Sequence, residues 1–339
     1  MGYETAFRRF DTDILRQVAS VPDYPQEAEC AMAVAPPVLL MGFNRPDTMA
    51  VVLERLREFQ PVQLFLAIDG PRRDRPGEEA KVRQCRELVD EIDWECDVRT
   101  LFQEENLGCG LGVSTAISWF FDNVEEGIIL EDDIVPDPTF FGFCAELLER
   151  YRDDQRIFAI SGCNYVPPSD QSHPEQPYRF SRVPHVWGWA TWSRSWRQHR
   201  LDVRDWRKRM PMRRLLNDVR GSVPGAVFWA STFELLGREE IDTWDGQLVL
   251  AAMASGQWTA TSNVNLIENI GFGSSATHTV EDRDELQPRG RASLPMTPVV
   301  VEVDERADDW TRRHHYRATW RGLAGQGARY VKGKMRRNT

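Results

Sequence analysis

Short apolar runs alternate with segments of helical periodicity through the first half of the chain. Four runs have the length and composition of strands, and they lie in PPVLLMGFNRP, VQLFLAIDG, CDVRTLFQ and GIILEDD. Between them lie DTMAVVLERLREF, EEAKVRQCRELVDEI and VSTAISWFFDNV, in which apolar residues recur at helical spacing. The pattern therefore predicts four strands with a helix between each consecutive pair.

Strands and helices that alternate at this spacing are typical of a mostly parallel sheet with helices on both faces, so the predicted fold class is α/β. Open sheets of this kind bind ligands outside the carboxyl ends of their strands. Four polar stretches lie at those ends, namely Asn44-Arg45, Asp69-Gly70, residues 106–112 and Glu131-Asp132-Asp133. We expect them to be close together in space.

The second half of the chain is less regular. PTFFGFCAELLERY predicts a helix and IFAISGCNY a strand, whereas YRFSRVPHVWGWATWSRSW fits neither helical nor strand alternation. DWRKRMPMRRLLNDV predicts a basic helix broken near Pro211. IDTWDGQLVLAAMASG predicts a helix with Asp242 or Thr243 as its cap.

Composition and charge narrow the class of protein. The 339 residues are 41% hydrophobic and 28% charged, which is ordinary for a globular protein. A net charge of −10 argues against a nucleic-acid binder that relies on overall charge. Residues 310–339 carry nine Lys or Arg and no Asp or Glu. Such a tail can contact anionic lipid at a membrane surface or a phosphorylated partner, or it can simply be a solvated end.

The cysteine pattern and the hydropathy of the chain bear on its cellular location. The six cysteines show no CxxC spacing, and several fall in apolar runs, as reduced core thiols do. No apolar run reaches 18 residues, and no charged-then-apolar leader follows Met1. We therefore predict a cytoplasmic protein, with peripheral membrane contact open through the basic tail.

Three adjacent acids, Glu131, Asp132 and Asp133, follow the fourth apolar run. Neighbouring carboxylates repel one another unless a positive charge lies among them. Carboxylates are the ligands of hard cations such as Mg²⁺ or Mn²⁺, which often also bind substrate phosphates. The stretch therefore predicts a metal-phosphate site, with a solvated acidic turn as the alternative.

Each of the other strand-end motifs, taken alone, is only weak evidence for a ligand-binding site. Glycines in NLGCGLG would let the backbone approach a ligand, with a helix starting at about Leu111, but taken alone the motif favours a plain loop before a helix. Asp69 can accept a hydrogen bond from a base N–H, although Asp-Gly is also a common turn. Asn44 and Arg45 offer an amide and a guanidinium suited to a base or phosphate.

Later residues offer a base, a possible ligand and aromatic surfaces. Asp245 opens a helix and is either a capping acid or a general base. His278 is a metal ligand, a phosphate donor or a satisfied loop histidine. Four tryptophans and His185 cluster in the irregular segment, and we take His185 and Trp189 as acceptor candidates, with burial in the core as the alternative.

Together, FNRP, AIDG, NLGCGLG and IILEDD resemble, in order and near-even spacing, the GT-A glycosyltransferases, nucleotide-sugar-dependent enzymes with a Rossmann-like sheet. The EDD form, with NRP and the later WD, is most similar to N-acetylglucosaminyltransferase I. Related bacterial glycosyltransferases share HVWGWATW and NIGFG followed by ATHT. The resemblance spans roughly Val38 to Thr279.

The resemblance implies roles for single residues. Asp133 would bind the metal that holds the diphosphate, and His278 would contact the metal or diphosphate. Asp245 would be the general base of an inverting enzyme. The donor would be held by residues at the strand ends, namely Asn44, Arg45, Asp69, Asn106, Gly108, Gly110, Leu111, Glu131 and Asp132. Asp69 would favour uracil, thymine or guanine, each of which has an N–H to donate.

The predicted protein is thus an inverting glycosyltransferase dependent on Mn²⁺ or Mg²⁺. Its donor would be a UDP-, dTDP- or GDP-linked sugar, and its acceptor a hydroxyl of a glycan, a lipid-linked sugar or a natural product. We expect an N-terminal extension (1–35), a GT-A domain (36–280, with donor and acceptor halves meeting near 135) and a C-terminal extension (281–339). A sugar-phosphate nucleotidyltransferase and a non-catalytic nucleotide-sugar-binding protein are the alternatives.

Overall fold

A computed structural model describes residues 35–271 and 286–325. The N-terminal extension, His278 and the end of the basic tail lie outside these residues. The described residues form ten strands: β1 Val38–Gly42, β2 Gln63–Ile68, β3 Asp97–Phe102, β4 Glu126–Glu131, β5 Ile134–Pro136, β6 Ile157–Ser161, β7 Tyr178–Ser181, β8 Trp189–Trp192, β9 Trp258–Ser262 and β10 Ile267–Asn269.

Ten α-helices complete the described part of the chain. They are α1 Pro46–Phe59, α2 Glu78–Glu87, α3 Gly108–Asn123, α4 Pro138–Arg150, α5 Ser193–Trp196, α6 Trp206–Arg209, α7 Met212–Asp218, α8 Val223–Gly237, α9 Asp245–Ser255 and α10 Glu305–Trp310. A π-helical turn, Thr311–His315, follows α10 directly.

The eight-stranded main sheet has the order β3-β2-β1-β4-β8-β6-β9-β7. Strands β3, β2, β1 and β4 pair in parallel, as the sequence pattern predicts. Because β1 lies between β2 and β4, the ends of these strands form one edge of the sheet, where the polar stretches meet. The predicted α/β fold class is confirmed.

Two strands in the irregular aromatic segment, β7 and β8, were not predicted. β8 pairs antiparallel with both β4 and β6, and β7 pairs antiparallel with β9. All eight residues of these two strands are buried, polar side chains included. Each strand has only four residues, and β8 (WATW) shows no alternation of apolar and polar residues. The strand predicted in IFAISGCNY is present as β6, but it ends at Ser161 and does not include the last four residues of that run.

The helices predicted from the sequence are present in the structure, although some of them begin or end at other residues than predicted. The basic helix is broken at Pro211 into α6 and α7, as expected. Helix α3 begins at Gly108 rather than near Leu111. The five described cysteines are free, and Cys85, Cys144 and Cys163 are buried, which agrees with the prediction of reduced core thiols.

Residues 286–325 pack against the main domain. Met296 is buried in the core, Asp304 N–H donates to the Phe180 carbonyl at 2.9 Å, and the Ser181 hydroxyl donates to Asp308 at 2.7 Å. This segment covers β7, the edge strand of the main sheet, and brings the π-helical turn to the cleft described below. None of the described helices has the length and apolar character needed to cross a bilayer.

Candidate functional site

A cleft of about 890 Å³ opens at the carboxyl ends of β1, β2 and β4. One side is formed by these strand ends and by residues at the start of α3. The opposite side comes from the loop before β8, from α8, from the start of α9 and from the π-helical turn. The cleft therefore brings together residues that are up to 275 positions apart in sequence, from Met41 to Tyr316.

Arg45 lies among the three acids. Its Nη1 donates to Oδ2 of Asp133 at 2.8 Å, and its Nε donates to Oδ2 of Asp132 at 3.3 Å. Its Nη2 also donates to Oδ1 of Asp132, so the pairing with Asp132 is bidentate. Asp132 is 3% exposed. The arginine predicted to bind a base or phosphate is thus engaged by the carboxylates.

One guanidinium does not neutralise this cluster. Burial and the charges of Asp133 and Asp132 raise the pKa of Glu131 to about 8. Burial also raises the pKa of Asp132 to about 6, although Arg45 acts in the opposite direction. Burial lowers the pKa of Arg45, but the two aspartates more than offset this, so its net direction is upward. The excess of negative charge favours a further cation here.

The oxygen donors of the cluster fit a hard divalent cation. Oδ1 of Asp133 accepts no hydrogen bond from any residue that the structure describes, and the side chain lines the cleft. The described ranges contain no cluster of three or more His, Cys, Asp or Glu side chains able to bind a metal on their own. Mg²⁺ usually takes one or two carboxylates and completes its shell with water and phosphate, so a site centred on Asp133 is compatible with this chain.

Gly271 lies against the Arg45–Asp133 pair. A Cβ atom at Gly271 would overlap Oδ2 of Asp133 and lie 2.9 Å from Nη1 of Arg45. The preceding residue, Ile270, donates its N–H to the Asp133 carbonyl at 2.9 Å. This glycine in NIGFG therefore allows the backbone to approach the acidic cluster.

The carboxylate of Asp69 is saturated by the protein. Its Oδ1 accepts from the N–H groups of Gly70 (2.8 Å) and Leu107 (2.9 Å). Its Oδ2 accepts from the Asn106 amide (2.8 Å) and the Gly108 N–H (3.2 Å). The predicted contact from Asp69 to a base N–H is wrong in this conformation, because its acceptor positions are filled. Asp69 instead joins the end of β2 to the start of α3.

A second carboxylate, Asp242, caps α3. It accepts hydrogen bonds from the N–H groups of Cys109 (3.2 Å) and Gly110 (2.8 Å). A Cβ on Gly108 or Gly110 would lie 2.9 or 2.7 Å from an oxygen of Asp242, so the glycines make room for this side chain. The prediction that Asp242 or Thr243 caps α9 is wrong, because no side chain in the described part of the protein caps that helix. The glycine turn is instead occupied by two protein carboxylates, Asp69 and Asp242.

Three further donor candidates have different positions. Asn44 is tied through its Nδ2 to Glu78 Oε1 at 2.9 Å, in a cluster with Arg72. Asn106 lines the cleft, with its amide N–H groups directed to Asp69 and to the Gly70 carbonyl. Leu111 is 49% exposed and is not among the cleft residues, so its assignment to the donor pocket is wrong.

Asp245 is exposed in the cleft at the first position of α9. Its Oδ1 accepts from its neighbour's N–H, at Gly246, over 2.8 Å and from the Thr243 hydroxyl. Its Oδ2 accepts no hydrogen bond within the described part of the chain. The Gln247 side chain donates to the Thr243 carbonyl at 2.8 Å and so fixes the turn before the helix. One oxygen of Asp245 is thus oriented by the protein, and the other faces the cleft.

The aromatic candidates are mostly core residues. Trp189 is 1% exposed and packs against Trp244 at a ring distance of 5.8 Å, so its prediction as an acceptor contact is wrong. His185 lines the cleft but is 6% exposed, and burial lowers its pKa well below the usual value. Its ring packs against two neighbouring rings, with its centroid 5.0 Å from that of Tyr165 and 6.3 Å from that of Tyr316.

The sequence did not indicate four aromatic residues that line the cleft: Phe228, Trp229, His315 and Tyr316. The first two lie on α8, which has no distinct apolar stripe toward the cleft, and the other two lie in a segment outside the family resemblance. A weak signal was available in the HHY run at 314–316, since neither helix nor strand periodicity explains it.

The cleft is acidic. Among the described residues that line it, two are cationic, Arg45 and Arg72, and both are in ion pairs, with the acidic cluster and with Glu78. Six are carboxylates, namely Asp69, Glu131, Asp132, Asp133, Asp242 and Asp245. An anionic ligand would meet repulsion here unless it brought or found a cation.

No protein-family model matches the chain, and no curated protein matches it. Solved structures show distant likeness. HddC from Yersinia pseudotuberculosis is 10% identical, with a TM-score of 0.31 over 47% of this chain and 77% of that one. The inositol-1-phosphate CTP transferase of T. maritima is 10% identical, with a TM-score of 0.34 over 68% of this chain and 86% of that one.

A third structure is assigned as a glucose-1-phosphate thymidylyltransferase of Bacillus anthracis, in complex with sucrose. It is 7% identical, with a TM-score of 0.30 over 48% of this chain and 73% of that one. At such TM-scores these likenesses decide no function, and they do not single out N-acetylglucosaminyltransferase I. The sheet order and the cleft at the strand ends nevertheless make this a Rossmann-like α/β fold.

Proposed function

We propose that this protein is a metal-dependent, inverting glycosyltransferase that uses a nucleotide-diphosphate sugar. The observation that carries the proposal is the shared cleft, in which the acidic cluster at the end of β4 and the exposed Asp245 line one cavity. Such an arrangement provides a leaving-group side and a base side for one displacement at a sugar carbon.

The donor would bind along the strand ends. Asp133 would hold a Mn²⁺ or Mg²⁺ ion, which when bound neutralises charge on the departing diphosphate. Arg45 is held by Asp132 and Asp133, so its part would be to orient these carboxylates and to balance the acidic cluster. Asp69 and Asn106 would keep the loop before α3 in place beneath the donor.

Asp245 would act as the general base. Its Oδ2 would take the proton from the acceptor hydroxyl while that oxygen forms a bond to the anomeric carbon of the donor sugar. The bond from this carbon to the diphosphate oxygen breaks, and the diphosphate leaves with the electron pair. A single displacement of this kind inverts the anomeric centre, which is why we propose inversion. The hydrogen bonds from Thr243 and Gly246 to Oδ1 orient the carboxylate for this role.

A sugar-phosphate nucleotidyltransferase is the second candidate, because two of the similar solved structures are named as nucleotidyl-transferring enzymes. Such an enzyme must bind a triphosphate, which carries more negative charge than a diphosphate sugar. In the described cleft the two arginines are already paired with carboxylates, and this favours the first candidate.

Product identity separates the candidates. The protein is incubated with Mn²⁺ and either nucleotide sugars or a nucleoside triphosphate with sugar 1-phosphates. The proposal predicts release of nucleoside diphosphate from one nucleotide sugar, and a loss of about 100-fold or more in Asp245→Asn. Asp202→Asn, an exposed aspartate outside the cleft, is the control and should behave as wild type. Pyrophosphate release from the triphosphate would instead establish the second candidate.

A further inference from the structure

Six aromatic side chains from four separate segments form one side of the cleft. We call them the aromatic wall: Tyr165, Trp187, Phe228, Trp229, His315 and Tyr316. They come from the loop after β6, the loop before β8, helix α8 and the end of the π-helical turn. The proposed donor site uses none of them.

The rings of the aromatic wall contact one another in a continuous series. Tyr165 stacks on His315 with centroids 4.0 Å apart and an interplanar angle of 29°. His315 contacts Tyr316 at 4.7 Å, and Tyr316 contacts Trp229 at 4.9 Å and Phe228 at 5.7 Å. The C-terminal segment therefore links the two halves of the wall.

The wall offers ring surface to a ligand. Tyr165 and Trp229 are 5% and 4% exposed and serve as support. Trp187, Phe228, His315 and Tyr316 are half-buried and line the cavity. Half-buried aromatic faces that surround a cavity suit the apolar C–H face of a sugar ring or a flat aryl group.

The wall adjoins the proposed base. Helix α9, which starts with Asp245, packs on α8, which carries Phe228 and Trp229. Asp245 and Tyr316 line the same cavity. Burial raises the pKa of Tyr316, and the charge of Asp245 adds to this effect, as expected for neighbours. A ring held on the wall would thus place a hydroxyl group within the part of the cleft that contains Asp245.

Charge restricts what can bind there. Among the described residues that line the cleft, Arg45 and Arg72 are the only lysine or arginine residues, and the carboxylates of Asp242 and Asp245 line the same cavity as the aromatic wall. Both of these arginines are engaged by carboxylates, Arg45 by Asp133 and Arg72 by Glu78. An acceptor that carried a phosphate or carboxylate on the wall would meet repulsion without compensation.

We infer that the acceptor is an uncharged ring-containing compound, a neutral glycoside, which binds with its apolar face on the aromatic wall. The inference rests on the proposed function, because only a transferase has an acceptor. The preference of the wall for a neutral ligand does not depend on turnover. It disfavours phosphate-linked sugars and uronic acids as acceptors. It also assigns to His315 and Tyr316 a binding role in a segment that lies outside the family resemblance.

Direct binding tests the inference with two ligands that differ in charge. Phenyl β-D-glucoside and phenyl β-D-glucuronide are titrated into the protein without nucleotide, and binding is followed by ligand-observed NMR. The glucoside should bind about tenfold or more tightly than the glucuronide. Methyl β-D-glucoside and phenol, titrated separately, show whether the sugar face or the aryl face contacts the wall. Equal or tighter binding of the glucuronide would overturn the inference, as would phenol binding with no binding of methyl glucoside.

Variants localise the binding. Phe228→Leu keeps apolar volume without a ring, and His315→Ala removes the ring that joins the two halves of the wall; each should weaken glucoside binding about tenfold. Trp320→Ala is the matched control, because Trp320 is 62% exposed and outside the cleft. Thermal unfolding identifies a variant that fails to fold, in which case the other variant decides. Unchanged glucoside binding in both folded wall variants would overturn the inference.

Failure of the proposed function gives a different result. If the glucoside binds on the wall but no nucleotide sugar is ever consumed, the transferase proposal fails while the ligand preference holds. If nucleotide sugar is consumed but glucuronides or sugar phosphates are the better acceptors, the transferase proposal holds and the inference about the wall fails.

Discussion

Nη1 of Arg45 donates a hydrogen bond to Oδ2 of Asp133 at 2.8 Å, across 88 positions of sequence. The arginine follows β1 and the aspartate follows β4, and these strands are neighbours in the sheet. The pairing puts a permanent positive charge among three carboxylates. It explains how the chain tolerates the acidic cluster at the end of a buried strand, and it leaves charge for one further cation to balance.

Removal of the Arg45 charge should destabilise the protein. Arg45→Gln leaves the buried Asp132 without its partner, and we expect the free energy of unfolding to fall by about 3 kcal/mol in EDTA at pH 8. Mn²⁺ should restore part of this loss, since a cation would replace the guanidinium. Urea unfolding measures both effects. Arg204→Gln, which breaks an exposed pair with Asp202, is the control and should cost less than about 1 kcal/mol. Equal losses in the two variants would contradict this role of Arg45.

Gly271 offers a test that leaves every charge in place. In Gly271→Ala the new methyl group would overlap Oδ2 of Asp133 and displace that carboxylate. We expect metal-dependent nucleotide binding to weaken about tenfold or more, because small displacements of a metal ligand lose affinity. Gly325→Ala is the control, since a Cβ there meets nothing within 4 Å. Calorimetry should show wild-type affinity for that control, and wild-type affinity for Gly271→Ala would contradict the placement of the site.

Asp242 should behave as the N-terminal cap of α3, although it lies 132 residues after Gly110. Asp242→Ala should lower the free energy of unfolding by about 1 to 2 kcal/mol. Asp242→Asn keeps an oxygen acceptor and should lose less. Asp205→Ala, at a position that makes no side-chain cap, serves as the reference. An Asn variant as unstable as the Ala variant would argue that charge repulsion or packing, and not capping, governs this position.

The half-buried His199 predicts that the protein loses stability in mild acid. His199 stacks on Trp196 at 4.2 Å and donates from Nε2 to the Trp244 carbonyl at 3.0 Å, and burial lowers its pKa from 6.5 to about 4. Because the unfolded state binds the proton more readily, stability falls as the pH drops from about 6.5 toward 4. The loss from this residue should reach about 3 kcal/mol at pH 4.

The variant His199→Gln isolates this effect. It keeps a side-chain N–H for the Trp244 carbonyl but cannot titrate. The difference in unfolding free energy between pH 7 and pH 4 should be about 3 kcal/mol smaller in the variant than in wild type. Parallel curves for the two proteins over this range would show that the ring is protonated without cost.

The sequence predicted the donor half of the sheet because local signals there agree with the tertiary arrangement. In β1 to β4, an apolar run, a polar strand end and an amphipathic helix repeat in order. Strands β7 and β8 are not predicted because each has only four residues, all of them buried. β8 (WATW) shows no alternation of apolar and polar residues, and that of β7 (YRFS) extends over four residues only. Residues 286–325 could not be placed, because they pack through scattered contacts to the sheet edge.

The sequence predicts where the residues of the candidate site lie, but it does not predict their hydrogen-bond partners. Strand ends located Arg45, Asp69 and Asp133 in one cleft, yet the side chains bind one another in ways that spacing does not encode. Asp69 turned out to be saturated by N–H groups of the glycine loop, and Asp242 reached that loop from the far side of the cleft. Such pairings depend on the tertiary approach of α9 to α3, which no local pattern reports.

Calorimetric titration of UDP, dTDP and GDP into wild type and Asp133→Ala, each with Mn²⁺ and with EDTA, tests the central claim most directly. The proposal predicts that one nucleotide binds wild type only with Mn²⁺, and that this binding is lost in Asp133→Ala. Asp245→Asn should bind that nucleotide like wild type. Two results would contradict a metal-diphosphate site: no binding of any of the three nucleotides, or binding in EDTA and to Asp133→Ala that is as tight as binding to wild type with Mn²⁺. The three acids would then be an acidic turn whose charge is partly balanced by Arg45.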